Sequence, residues 1–246
     1  MPAILFVLTS AAKTFTGAPA GWYLPEAAHP YYVLAPHATI DFASPAGPNP
    51  PISEGSVKMF ESDPECVKFL ADETVKSKLA SAKKLSEVNA KAERLRCCLL
   101  RRRPWARHRF GCRPGQHQTC IRGKKYSVSI LNVPFDDHAQ FYQAGKITAA
   151  VCHGPAALVG ATDAEGKSIF AGKNATGFSN AEETQIDTVK DVPFLLEDKI
   201  GSLGGKYEKA ADPWAPHVVV DGNLYTGQNP ASSAPIGEAV LKGLKL

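Results

Sequence analysis

The chain has 246 residues, 44% of them hydrophobic and 21% charged, which suits one large α/β domain with a sizeable core better than two small ones. No apolar run reaches membrane-spanning length. The formal charge of +4 invites a nucleic-acid partner only until it is located: all nine arginines lie between Arg94 and Arg122, and the rest of the chain is mildly acidic.

Pro2 to Leu8 is apolar, lacks a basic flank and leads into a polar loop, so it reads as a first core strand and not as a signal peptide. A cytoplasmic protein is expected, with the nucleus as a second compartment. Pro25 followed by Glu26 reads as the entry to a helix running to about Ala35. A carboxylate at that position suits the helix dipole whatever else it does. Thr39 to Ser44 alternates as a second strand, and Pro45 to Pro51 is a Pro-rich surface loop. Asp63 to Val88 carries helical periodicity, broken around Ala71-Asp72 and capped by Ser and Asp.

Residues 92 to 140 follow neither period. Arg-Cys-Cys-Leu-Leu-Arg-Arg-Arg-Pro-Trp interrupts the place where an α/β alternation needs its next core strand. A basic nucleic-acid arm, with Trp105 interleaved, is one reading. Four of the six cysteines fall here, Cys97, Cys98, Cys112 and Cys120, with Cys66 and Cys152 elsewhere. Cys112, His117 and Cys120 lack the paired spacing of a zinc site, and no metal is expected.

Ile147 to Val151 reads as a buried parallel strand, and Gly154 to Leu158 reads as the first turn of a helix with Pro near its start. Cys152 and His153 then stand at the corner. A strand passing directly into a helix forces a sharp turn that lifts a reactive side chain clear of the sheet. The helix N-terminus also favours thiolate over thiol. An isolated Cys in an apolar run is more often structural, but the adjacent His, the Gly-Pro and the change of period favour a nucleophile.

Further on, Asn180 reads as the cap of a short helix carrying Glu182 and Glu183. Asn174-Ala175-Thr176 forms a sequon that carries little weight without a secretory signal. Leu195 to Leu203 is a further helix ended by Gly204-Gly205. Val218 to Gly227 is a hairpin about Asp-Gly, and Asn229 to Ser233 caps a last helix running to about Lys242.

Ala149-Ala150-Val151-Cys152-His153-Gly154-Pro155-Ala156 closely resembles the elbow of the ThiJ/PfpI superfamily, in its heat-shock-type, glutathione-independent glyoxalase III branch. The resemblance also covers Met1 to about Lys91 and Phe141 to Leu246. It implies a flavodoxin-like, doubly wound α/β sandwich and a homodimer. It also implies a lyase of the D-lactate dehydratase class that turns methylglyoxal or a related 2-oxoaldehyde into a 2-hydroxy acid without a cofactor. The catalytic residues it implies are Cys152 as nucleophile, Glu26 as the base that moves a proton between the two carbons, and His153 assisting proton transfer. Glu183 orients His153, with Glu182 as its one-residue alternative. Trp214 to His217 and the Asn229 loop would lie around the mouth, though capping alone explains Asn229 and Ser232. A stress-response holdase or redox sensor, in which an oxidisable Cys152 matters more than turnover, is the alternative from another class, and a peptidase or amidotransferase-like hydrolase ranks last. Neither nucleic acid nor membrane is an expected partner.

Residues 92 to 140 stand outside the resemblance. Read one base out of phase, with a permitted choice of wobble bases, the codons of Arg94 to Cys120 give Asp-Tyr-Asp-Ala-Val-Phe-Tyr-Val-Gly-Gly-His-Gly-Pro-Val-Ile-Asp-Leu. That resembles the missing strand and its Gly-Gly-His-Gly loop, which would supply an oxyanion donor. Gly123-Lys124 can encode a splice donor and Ala139-Gln140 an acceptor. The segment therefore reads as a frameshifted exon plus a retained intron, a disordered insert in an otherwise single domain.

Overall fold

The apolar run at the amino end behaves as its composition requires. Ala3–Val7 (β1) is buried along its whole length, with Ile4 and Phe6 packing to one side and Leu5 and Val7 to the other, as a strand covered on both faces must. A computed structural model describes residues 1–88, 126–131 and 138–245 of the chain. The main sheet runs in the spatial order Lys83–Lys84 (β3), Thr39–Ser44 (β2), β1, Tyr126–Leu131 (β4), Ile147–Val151 (β5), Leu224–Gly227 (β9) and Val218–Asp221 (β8). Every pair in it is parallel except the β8–β9 hairpin. Asn174–Ala175 (β6) and Lys206–Tyr207 (β7) form a separate parallel pair.

Helices cover both faces, so the architecture is the expected flavodoxin-like, doubly wound sheet. Leu24–Leu34 (α1), Pro64–Ala71 (α3) and Ser233–Leu244 (α8) pack on the Ile4/Phe6 side. His138–Gln143 (α5), a 3-10 helix at Gly154–Leu158 and Leu196–Ser202 (α7) pack on the other. Three further segments, Glu54–Met59 (α2), Glu73–Ala80 (α4) and Asn180–Gln185 (α6), complete the described α-helices.

Several expectations change. The sheet's place between β1 and β5 is filled, and by residues 126–131 from within the segment read as an aberrant insert. Tyr-Ser-Val-Ser-Ile-Leu has the two-residue alternation and β-branched content of a strand. Residues 89–125 and 132–137 lie outside the described residues, and with them Trp105, the Cys112, His117 and Cys120 trio, and the place of the Gly-Gly-His-Gly loop. The helical run to Val88 ends early, at Ala80. Lys83–Lys84 instead pairs with the end of β2, and Leu85–Glu87 is a 3-10 turn. The break at Asp72 is where expected, because Asp72 caps α4 through hydrogen bonds from the N–H groups of Thr74 and Val75. α2 was not read from the sequence, although Ser53 caps it and Glu54 opens it.

Aromatic packing holds α1 on the sheet. Tyr31 meets Phe69 with ring centroids 5.4 Å apart and Phe42 at 6.1 Å, and Phe6 meets Phe42 at 5.6 Å. Such pairs contribute about 0.5 to 1.5 kcal/mol each beyond their buried area. α8 crosses close behind, because Gly237 has no side chain: a Cβ there would stand 3.2 Å from Pro30 Cα. α1 is thereby fixed against the sheet, and with it the residues in its first turn.

Candidate active site

β5 ends at Val151, and Cys152 takes a left-handed backbone conformation, with φ of 60°. For a residue with a Cβ this costs on the order of 1 to 3 kcal/mol and needs support from its surroundings. Support comes from both sides: the Cys152 N–H donates to Gly227 C=O at 2.9 Å, and Cys152 C=O accepts from the Phe178 N–H at 2.9 Å. Gly227 allows the close approach, since a Cβ there would lie 3.1 Å from Val151 and from Ser232. The helix after the corner is a five-residue 3-10 turn rather than an α-helix. The turn delivers the Cys152 side chain to the α1 side of the sheet.

Glu26, in the first turn of α1, meets it there. The carboxyl and the thiol act on each other's ionisation, and both residues are nearly closed to solvent, at 7% and 5% exposure. Burial pushes the Glu26 carboxyl up to about 7, against the hydrogen bond from Cys152 and the charge of His153, which pull it down. Burial, then the charge and hydrogen bond of Glu26, push the Cys152 thiol well above its ordinary value. The thiolate expected from the helix N-terminus is therefore not the resting form. In a dry site shared with a carboxylate, desolvation and like charge outweigh one backbone N–H from His153.

His153 lies beside the sulfur, with Nδ1 3.4 Å from Sγ. Its Nε2 is 2.8 Å from Glu183 Oε2. Burial alone would raise the Glu183 carboxyl, but the hydrogen bond and charge of His153 outweigh it and hold it below the usual carboxylate range. Thr188 Oγ1 donates to the other Glu183 oxygen. A carboxylate on Nε2 favours the proton there, which leaves the Nδ1 lone pair facing sulfur. The His153 ring lies against Phe178, centroids 4.3 Å apart, and its side chain is 39% exposed, so solvent reaches the site past the imidazole.

Glu182 is turned the other way. Its Oε2 accepts from the Ser179 N–H at 2.9 Å and Ser179 Oγ at 2.7 Å. Its Oε1 accepts from the Trp214 N–H at 3.0 Å, Gln228 Nε2 at 3.0 Å and Asn229 Nδ2 at 2.8 Å. The cap of α6 is accordingly Ser179, in a capping box with Glu182, and not Asn180. Asn229 also donates to Ala215 C=O at 2.8 Å, and Ser232 Oγ bonds both backbone groups of His217. Both residues tie loops together in addition to the capping box they form at Pro230–Ser232.

Sequence reasoning missed Tyr23. It immediately precedes α1, and its phenol is pushed up to about 12 by burial and by the charges of Cys152 and Glu26. The only signal was its position next to Leu24-Pro25-Glu26.

Residues 138–243 match the DJ-1/PfpI family. The chain is 36% identical over 115 residues to the glutathione-independent glyoxalase HSP31 of Saccharomyces cerevisiae, a stretch covering 45% of this chain and 48% of that protein. The chain spans about half the length of the curated relatives it matches. Among solved structures, the Rapid Encystment Protein 24 kDa of Francisella tularensis superposes with a TM-score of 0.79 at 28% identity, covering 99% of both chains. Glyoxalase III from Candida albicans shares the fold, with a TM-score of 0.74 at 22% identity over 98% of this chain and 96% of that one. The resemblance to the glyoxalase III branch of the ThiJ/PfpI superfamily, first carried by the elbow residues, is borne out by these matches.

Proposed function

We propose that the chain is a glutathione-independent glyoxalase that converts a methylglyoxal-type 2-oxoaldehyde to the 2-hydroxy acid at Cys152, with no cofactor. The observation that carries this reading is that Glu26 and Cys152, both nearly closed to solvent, act on each other's ionisation. It places a carboxyl of pKa about 7 beside the sulfur that would hold the substrate, near the optimum for a base at neutral pH.

In this reading Sγ adds to the aldehyde carbon while His153 Nδ1 takes the thiol proton and passes it to the carbonyl oxygen, giving a hemithioacetal. Glu26 as carboxylate removes the hydrogen on that carbon as a proton. The enediolate that results takes one proton on the C2 oxygen and one at C2 as the C1 hydroxyl gives up its own, which leaves a thioester of the 2-hydroxy acid on Cys152. Water cleaves the thioester and restores the thiol. The balance is one water consumed, with no oxidant or reductant. Glu183 holds the imidazole in the tautomer that faces sulfur.

The assembly in this reading is a homodimer, and the compartment is the cytoplasm with the nucleus. No helix among the described residues is long and apolar enough to cross a membrane.

Turnover of methylglyoxal in heavy water tests the chemistry directly. Without glutathione the product should be lactate carrying solvent deuterium at C2, and Cys152→Ala should form none. Lactate without deuterium would mean that the hydrogen reaches C2 without exchanging, and Glu26→Gln then separates a shielded proton transfer, which it abolishes, from a hydride shift, which it leaves intact and which would remove the role of Glu26. Absence of lactate would remove the activity itself.

A further inference from the structure

At the seam of α1 and α3 three side chains of different chemistry converge. His29 projects from α1, three residues beyond Glu26; Asp63 caps α3; Cys66 lies in its first turn. His29 Nε2 is 3.2 Å from Asp63 Oδ2 and 3.9 Å from Cys66 Sγ. The three ligand atoms lie within 4.8 Å of one another, the one such trio among the described residues.

The trio invites comparison with a nucleophile relay, and the geometry excludes it. A relay needs sulfur and carboxylate on opposite ring nitrogens, the arrangement found at His153. At His29 both partners face Nε2, so the ring cannot pass a proton from one to the other.

Convergence on one point in front of a ring nitrogen is instead the geometry of metal ligands. Around a tetrahedral zinc ion with bonds of about 2.0 to 2.2 Å to nitrogen and oxygen and about 2.3 Å to sulfur, neighbouring ligand atoms stand about 3.3 to 3.6 Å apart. The observed 3.2 and 3.9 Å bracket that range. We propose that His29 Nε2, Asp63 Oδ2 and Cys66 Sγ bind one divalent cation of the zinc class.

The donor set selects the ion. One imidazole, one sulfur and one carboxylate suit borderline-soft zinc and exclude magnesium and calcium, which take oxygen. Asp63 can serve without giving up its cap, because the Cys66 N–H bonds Oδ1 at 2.8 Å and Oδ2 is the atom on the trio. His29 and Asp63 are 19% and 27% exposed while Cys66 is buried, so the ion enters from solvent and a water completes four ligands. Binding exchanges the Cys66 thiol proton for the metal and leaves the His29 ring proton on Nδ1. The ion then joins α3 to the helix that carries Glu26.

Cobalt(II), a spectroscopic stand-in for zinc, tests the site in the full-length chain with Cys97, Cys98, Cys112 and Cys120 replaced by Ser and Cys152 by Ala. Cys66 is then the one thiol. One equivalent should give tetrahedral visible bands and a sulfur-to-cobalt charge-transfer band, both lost on adding zinc, and zinc should raise the melting midpoint by several degrees. Cys66→Ser should abolish the charge-transfer band. His29→Gln and Asp63→Asn should each weaken binding at least tenfold, the latter with α3 still capped. A folded background protein without the sulfur band would overturn the proposal, as would a band indifferent to His29→Gln and Asp63→Asn. Should that background not fold, zinc-grown crystals of the unaltered chain decide: an anomalous peak among the three atoms supports the site, and none there rejects it.

Discussion

Glu26 in the first turn of α1 and Cys152 at the end of β5 bear on each other's protons: the carboxyl raises the thiol, and the thiol lowers the carboxyl. The pair is dry, so charge on one opposes charge on the other, and the two titrate as a unit that holds both protons below about pH 7 and keeps one, on sulfur, above it. Glu26→Gln keeps a hydrogen-bond donor toward sulfur but removes both the base and the charge that raises the thiol. Turnover of 2-oxoaldehyde should fall by about 10²-fold or more, the usual scale for a general base, while iodoacetamide should alkylate Cys152 at the wild-type rate or faster. Equal turnover in the two proteins would reduce Glu26 to a helix-start residue.

The elbow was legible because two periods change there: a buried run of small and β-branched residues gives way to Gly-Pro, and the corner between them is two residues long. Glu26 was legible by place, one residue after Pro25, but its contact with Cys152 depends on α1 packing through Tyr31 and Gly237, which no local pattern encodes. The choice between Glu182 and Glu183 was illegible for a plain reason. Adjacent helix residues point about 100° apart, and which one meets His153 depends on the position of the whole helix. Ser179 and Asn180 are both good caps, and one residue of offset decided it. β3 has the composition of a surface loop, Lys-Lys, and becomes a strand only because the edge of β2 is there to pair with.

Glu183 touches His153 and not the sulfur, so its effect should pass through the imidazole. Glu183→Gln puts an amide where the carboxylate fixes the ring proton on Nε2. The Nδ1 lone pair is then no longer held toward Cys152, and both alkylation at neutral pH and turnover should drop by roughly 10-fold or more. Turnover that falls while the alkylation rate and its pH profile stay unchanged would show that Glu183 acts by some other route.

Glu182, one residue away, serves the fold instead. It is fully buried and accepts five hydrogen bonds, from Ser179, Trp214, Gln228 and Asn229. Glu182→Gln sets an amide donor against these donors and should cost at least about 3 kcal/mol of stability, since each unsatisfied buried group costs about 1 to 3 kcal/mol. Chemical denaturation reads this. A loss under about 1 kcal/mol would mean that the loops rearrange around the substitution.

Stability and activity should respond to pH in opposite directions, because of the sign of the Glu26 shift. The carboxyl rises from 4.5 to about 7 on folding, so between those values the folded chain holds a proton that the unfolded chain has released. Stability then falls as pH rises across this window. At 1.36 kcal/mol per pKa unit the loss from this residue is about 3 kcal/mol, complete above about pH 7 and absent below about pH 4.5. Activity moves the opposite way, because the base must be ionised: kcat/KM should climb with pH to a plateau above about 7. Glu26→Gln cannot titrate, so it should lose this slope and be more stable than wild type at pH 8 while matching it near pH 5. Urea melts of both proteins across that range decide it. A wild-type curve that is flat, or that rises with pH in parallel with the variant, would mean that Glu26 is ionised in the folded chain, and its assignment as a neutral-pH base would have to be abandoned.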